Sequence, residues 1–221
     1  MALRALLALP SSLVERARRR YEFHPPRYWE ERAPELIRTY DNPQIWEQKG
    51  WVRYQLESEI VPDLLRRAGA ASVLVVGAGC GREYEYLRAC DVEVSGFDIS
   101  PSMAAEARRR FPEIQTEVDS VVGAHRRHAP ADAVVSSTVL THVPPKDVGE
   151  AVESVKRLAR RIVIAREITR YTTVSQYLWP HDYDALFAPW LCIFRQLTDD
   201  DETKTAELMA WVPPGSEVAS A

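Results

Sequence analysis

With 221 residues, 46% of them hydrophobic and 27% charged, the chain is long enough for one domain with a sizeable core and has the balance of a soluble globular protein. A net charge of −4 gives no global attraction to nucleic acid. The three cysteines, Cys80, Cys90 and Cys192, are odd in number and lack C-x-x-C spacing, which argues against a disulfide framework or zinc site and for reduced thiols in a cytoplasm.

The opening stretch MALRALLALPSSLVERARRR has too short an apolar run for a signal peptide, and its charge follows that run. It reads as a short docking helix, with the basic residues of positions 1–27 on a solvated amphipathic face. No segment approaches the ~18 continuous apolar residues of a membrane span. Residues 1–70 as a whole read as a helical cap or lid rich in aromatics, interrupted by turns at HPPRYW and DNPQIW. Within it, VRYQLESEIVPDLLRRAG predicts a helix bent near Pro62 and ended by Gly69.

From residue 71 strands and helices alternate. SVLVVG is an apolar run with no polar face, as a parallel strand covered on both sides requires. A helix REYEYLRAC follows, then a strand VEVSGFD. The next helix, SPSMAAEARRRF, takes Ser100 as N-cap and Pro101 at its first position. IQTEVD and ADAVVSSTVL are strands. KDVGEAVESVKRLARR places Val148, Val152, Val155 and Ala159 on one helical face. RIVIARE is a fifth strand, and WLCIFRQL and AELMAWV flank the acidic turn TDDDETKT as an antiparallel hairpin. The order predicts a doubly wound α/β domain over 71–221: a seven-stranded, mostly parallel sheet with an antiparallel C-terminal hairpin and the helical cap at its N-terminus. In such sheets ligands bind beyond the carboxyl ends of the strands, near the switch point.

Three glycines, Gly77, Gly79 and Gly81, sit between the first strand and its helix. Glycines there tolerate unusual φ and let a ligand approach the backbone; a tight turn packed on a neighbour explains them equally well. The spacing is G-x-G-x-G, with Arg82 where a dinucleotide fingerprint has its third small residue. Asp98, 21 residues past Gly77 at the end of the second strand, lies where a carboxylate meets ribose hydroxyls.

Together these glycines, GFDIS, VDS and ADAVVSSTVLTHVPP resemble the class I S-adenosylmethionine-dependent methyltransferase pattern, over residues 72–168. The resemblance implies a Rossmann-like fold and S-adenosyl-L-methionine as cofactor. It implies that Gly77, Ala78, Gly79 and Gly81 pass the methionine end, that Asp98 holds the ribose, and that Asp119 and Ser120 meet the adenine amine. Ile99 and Met103 become apolar contacts to adenine, and Ser137 a further cofactor contact. The sequence departs from the family at Val75, where an acid often precedes the glycines; the missing contact must come from elsewhere, from Arg82 or the N-terminal segment.

Methyl transfer to oxygen needs in-line positioning and removal of a proton, by a histidine or through a metal ion. His142, in VLTHVPP, and Glu167 fall at the mouth of the crevice. His181 and Asp182, in YLWPHDYDALF, fall between the fifth strand and the hairpin; the bland reading puts Asp182 in the first turn of a helix. The expectation is that His142, Glu167, His181 and Asp182 converge as a base with an orienting carboxylate, or else hold Mg²⁺. His125 and His128, in AHRRHAP, read as solvated. Tyr28, Trp29, Trp46 and Trp51, with Trp179 and Tyr183, either offer ring faces to an acceptor or form the core of the cap.

These features suit a neutral polyhydroxy acceptor, a sugar or oligosaccharide precursor, with no nucleic-acid partner. The THVPP and HDYD segments are similar to actinobacterial sugar and polysaccharide O-methyltransferases. A homodimer is compatible with the composition. Three other readings compete: N- or C-methylation of a small metabolite, a nicotinamide-dependent oxidoreductase, and a non-catalytic cofactor-binding module.

Overall fold

The computed structural model of the chain describes residues 23–40, 51–172, 175, 177–200 and 202–218; for 51–55 and 199–200 it describes the backbone alone. The expected docking helix, the DNPQIW turn, Trp46 and the side chain of Trp51 lie outside the described residues.

Helix α1 (Pro25–Tyr40) starts within the expected HPPRYW turn. Proline fits a first helical turn, where its missing N–H costs nothing, so the two prolines open a helix here. Helix α2 (Trp51–Arg67) keeps Pro62 inside and ends as expected at Gly69, which adopts φ +59°. The N–H of Ala70 bonds the carbonyl of Leu65 and that of Gly69 the carbonyl of Arg66, satisfying two of the last free carbonyls.

Then follow β1 (Ser72–Val76), α3 (Arg82–Leu87), β2 (Glu93–Asp98), α4 (Pro101–Arg110), β3 (Gln115–Val118), β4 (Ala131–Ser137), α5 (Val148–Leu158), β5 (Ala159–Tyr171), α6 (Tyr183–Phe187), β6 (Leu191–Asp200) and β7 (Lys204–Val212). Short 3-10 turns occupy Ala124–Arg126 and Leu140–His142. The seven strands form one sheet in the order β3-β2-β1-β4-β5-β7-β6. β1 to β5 pair in parallel, while β7 runs antiparallel between β5 and β6, as the hairpin reading required.

The apolar strands are covered on both faces, and alternation sorts their side chains. Val73, Val75, Val135 and Ile164 pack with Val61, Leu64 and Leu65 of α2 and with Tyr84 and Phe111. Leu74, Val76, Val134 and Val163 pack with Val148, Val152 and Val155 of α5 and with Phe187, whose ring stacks on Trp211 at 4.0 Å. Helix α2 therefore belongs to the layer that covers the sheet. Helix α1 lies elsewhere, across the carboxyl ends of the strands: its Ala33, Leu36 and Ile37 pack on Cys80 and Met103.

The strand order reverses between β1 and β4, which opens the crevice above Val76 and Ser137. On one side of it stands α4, with Ser100 as N-cap accepting from the N–H of Met103 at 3.2 Å and Pro101 at the first position. The Ser100 hydroxyl also donates to Glu30 of α1 at 2.6 Å. One buried hydroxyl thus caps a helix and ties down the segment above it. Ser100→Ala is expected to cost about 1–2 kcal/mol, read as a lower urea midpoint at unchanged slope.

Candidate active site

Gly77, Gly79 and Gly81 all have positive φ, at +67°, +55° and +86°. A Cβ on Gly77 would sit 2.3 Å from Val139 Cγ2, and one on Gly81 would sit 2.6 Å from the Phe111 ring, so packing alone demands glycine at both. Gly79 is different, because the nearest atom to its Cβ position is Met103 Cε at 3.8 Å. Its glycine answers to backbone conformation and leaves room for a ligand against the chain.

Asp98 joins this loop to the second strand. Its Oδ2 accepts from the N–H of Gly79 at 2.9 Å, and its Oδ1 from the N–H of Ser100 at 2.8 Å. Burial raises its pKa, opposed by those two bonds. A carboxylate offers about four lone pairs, so two remain for hydroxyl donors. Ile99 next to it is half-buried, while Met103 is buried with its sulfur 3.4 Å from Cys80 Sγ. Ala78 is buried and donates to the Phe97 carbonyl.

Asp119 and Ser120 follow β3. Asp119 Oδ1 accepts from the Ser120 N–H, and Oδ2 from Arg127 Nε at 2.7 Å and His128 Nε2 at 2.8 Å. Burial alone would raise its pKa, but these donors hold it below the usual range. His128 is therefore not solvated: it stacks on Phe97 at 4.6 Å and closes on Asp119, while His125 pairs with Ser154. The AHRRHAP stretch folds back because it carries the hydrogen-bond donors that a half-buried carboxylate needs.

The other side of the crevice is a loop after β4. His142 Nδ1 lies 2.6 Å from the Tyr177 carbonyl. A carbonyl only accepts, so Nδ1 carries the hydrogen and Nε2 keeps a lone pair. Burial lowers the pKa to about 4, partly offset by the Tyr177 bond, so the ring is neutral at neutral pH. The segment 177–181 runs along this loop: the Trp179 N–H bonds the Thr141 carbonyl, and His181 Nε2 bonds the Val143 carbonyl at 3.0 Å. Trp29 of α1 meets the His142 ring edge to face at 4.7 Å, and Tyr28 stacks on Tyr177 at 4.9 Å.

The four expected catalytic or metal-binding residues do not converge. Glu167 is fully buried under the loop, accepting from the N–H groups of Val139, Leu140 and Thr141 at 2.9–3.2 Å. Its carboxyl group holds the turn that presents His142, with no face left for an acceptor. His181 is committed to Val143, and Asp182 caps α6 by accepting from the Ala185 N–H, as its bland reading had it. Among the described residues no three His, Cys, Asp or Glu side chains are grouped to hold a metal ion, so the Mg²⁺ site is withdrawn. Tyr183 and Trp179 are buried too, at 3% and 7% exposure; they wall the site and offer no ring face to a ligand.

Sequence reading overlooked Glu57. Its position is i with respect to Val61, Leu64, Leu65 and Ala68 on the buried stripe of α2, and a carboxylate on an apolar stripe was the available signal. Glu57 and Arg82 both reach Ser137, whose hydroxyl is thereby already engaged. Thr138, at φ +55°, is a backbone outlier next to it. Glu30 was likewise unmarked, and it accepts from the Ser100 and Ser102 hydroxyls and the Ser102 N–H.

Residues 73–161 match the family model described as a methyltransferase domain. The fold is similar to magnesium protoporphyrin IX methyltransferase from Synechocystis PCC 6803, solved with bound SAM: TM-score 0.57, 19% identity, over 73% of this chain and 81% of that one. TehB from Haemophilus influenzae aligns with TM-score 0.55 and 16% identity over 68% and 62% of the two chains. The cyclase SpnF shares the fold at TM-score 0.58 and 12% identity, over 73% and 82%. No curated protein matches the chain. The antiparallel β7 between β5 and β6 departs from the dinucleotide-binding order. With the family match, it sets aside the nicotinamide oxidoreductase. No helix among the described residues is long and apolar enough to cross a membrane.

Burial lifts the pKa of Glu167 from 4.5 to about 7, opposed by its three backbone bonds. The folded protein therefore holds this proton more tightly than the unfolded chain. The stability from that proton is full below about pH 4.5 and lost as pH rises through about 7. Relative to Glu167→Gln, the wild type is expected to lose stability steadily across that window in denaturant titrations. A difference that stays flat with pH contradicts the assignment.

Proposed function

Because residues 73–161 carry the methyltransferase domain of the class I superfamily, we propose that the chain transfers the methyl group of S-adenosylmethionine to a hydroxyl of a small acceptor, a sugar or oligosaccharide precursor. When bound, the cofactor supplies an electrophilic methyl on a sulfonium. Asp98 has lone pairs left for the ribose hydroxyls, and the space at Gly79 suits a ligand lying against the backbone. Ile99 and Met103 border the adenine side. Asp119 is proposed for the adenine amine through its remaining acceptor capacity, and Ser120 stands beside it.

The observation that carries O-methylation is His142, neutral and with Nε2 as its acceptor nitrogen. A ring of pKa about 4 is a weak base toward a free alcohol. It is sufficient once the oxygen–carbon bond is forming, because the hydroxyl proton becomes strongly acidic as the oxygen turns toward an oxonium. Nε2 takes that proton, and the Tyr177 carbonyl steadies the resulting imidazolium through Nδ1–H. Trp29 and Tyr177 flank the ring, with Tyr28 packed against both, and exclude water. Their aromatic faces support a flat polyhydroxylated acceptor.

Screening hydroxylated acceptors with labelled S-adenosylmethionine, sugars first, tests this reading. His142→Ala is expected to lower kcat by about 100-fold or more; intact turnover would favour N- or C-methylation instead. The acid limb of kcat/KM is expected near pH 4, the pKa of His142, and a limb at 6.5 would contradict a buried neutral base. Asp98→Ala is expected to weaken S-adenosylhomocysteine binding by about 1.5–3 kcal/mol per bond lost, measured by calorimetry; unchanged affinity would remove the ribose assignment.

A further inference from the structure

A cation stands beside the histidine base, and the mechanism does not use it. Arg32 lies on α1 one turn past Tyr28 and Trp29, at i+4 and i+3, which puts it on the same side of the helix as those rings. Its Nη1 is 3.3 Å from the Tyr28 hydroxyl, and its Cζ is 5.7 Å from the centre of the Tyr28 ring. Tyr28 stacks on Tyr177, whose carbonyl holds Nδ1 of His142, and Trp29 meets the His142 ring itself. Burial is the main reason that the His142 pKa is low, and the Arg32 charge lowers it further. The guanidinium is therefore close enough for the base to feel its field.

For a base, such a neighbour is a disadvantage, because positive charge disfavours the imidazolium. The other interactions of Arg32 do not account for its place. Glu35 Oε2 lies 3.6 Å from Nη2, past hydrogen-bond length, and the Arg32 and Glu35 side chains are 38% and 65% exposed. An exposed pair of this kind contributes little. A guanidinium has five N–H donors, and among the described residues one of them is spent, on the Tyr28 hydroxyl. Donors remain for a further anion, within the span of one small molecule from the oxygen that His142 would deprotonate. A bound anion also removes the disadvantage, since its charge offsets that of Arg32 at the ring. A carboxylate or a phosphate monoester takes two parallel hydrogen bonds from a guanidinium, whereas a neutral sugar hydroxyl uses neither its charge nor its planar fork.

We propose that Arg32 determines acceptor specificity, and that the acceptor carries an anionic group, a carboxylate or a phosphate monoester, besides the hydroxyl that is methylated. This rests on the reading of His142 as the base for transfer to a hydroxyl. It narrows the acceptor to a sugar acid or a sugar phosphate, in place of the neutral polyhydroxy compound that the composition suits.

The test is a transfer assay on the intact chain with labelled S-adenosylmethionine and matched acceptors: D-glucose, D-glucuronate and D-glucose 6-phosphate, with the mannose and galactose counterparts. The wild type is expected to favour an anionic member over its neutral sugar by about tenfold or more in kcat/KM; the member favoured separates carboxylate from phosphate. Arg32→Gln is expected to lose that preference, and Arg32→Lys, which keeps the charge without the planar fork, to retain part of it. Methylation without preference in the wild type, or a preference that survives Arg32→Gln, overturns the proposal alone. So does an equal fall in S-adenosylhomocysteine affinity in Arg32→Gln, which would mark a general structural role. Should Arg32→Gln fail to fold, Arg32→Lys carries the same comparison, and an undiminished preference there overturns it. Wild type that binds S-adenosylhomocysteine and methylates no member of the set overturns the sugar-hydroxyl reading itself, which separates the two failures.

Discussion

The bridge made by Asp98 is the constraint on which the crevice depends. One carboxylate accepts from Gly79 at the end of the first strand turn and from Ser100 at the start of α4. It therefore sets the distance between the glycine loop and the second strand before any ligand arrives. Ser100 passes the constraint on: it caps α4 and donates to Glu30, which also binds Ser102. Helix α1 is then held over the strand ends, with Glu30 on the α4 side and Trp29 on His142. Two adjacent residues of one helix join the Asp98 side of the crevice to the His142 side.

The strand β5 organises the other half. Arg166 and Glu167 are consecutive, so alternation sends them to opposite faces. Arg166 enters the charged group beneath α2, and Glu167 receives three backbone N–H groups of the loop that carries His142. Both are buried, and both act by holding other groups in place. This division gives the loop that carries His142 its own support. The Glu167 carboxylate fixes the turn, the 177–181 segment fixes the histidine tautomer through the Tyr177 carbonyl, and burial keeps the ring neutral.

Much of this was legible in the sequence, for physical reasons that differ by element. The strands were readable because both faces are buried and their runs are apolar throughout. The α4 start was readable because Ser100 and Pro101 act locally, and the hairpin because an acidic turn separates two alternating runs. Local reasoning failed where a distant partner decides the outcome. HPPRYW looked like a break, yet its prolines occupy a first turn. AHRRHAP looked solvated, yet Asp119 draws Arg127 and His128 inward. Glu167 looked like an acceptor-facing acid at the rim, and the orientation of the strand sends it beneath the loop. Glu57 was visible as an acid on an apolar stripe, but its partners lie 25 and more residues away.

The measurement that bears most directly on the account is calorimetric titration of the intact protein with S-adenosylhomocysteine, with NADH in parallel. Saturable binding of S-adenosylhomocysteine alone is the predicted result. It would give the open side of Gly79 and the remaining lone pairs of Asp98 their ligand. Binding of NADH alone, or of neither, would contradict the account and leave the glycine turn as a packing solution around Val139 and Phe111.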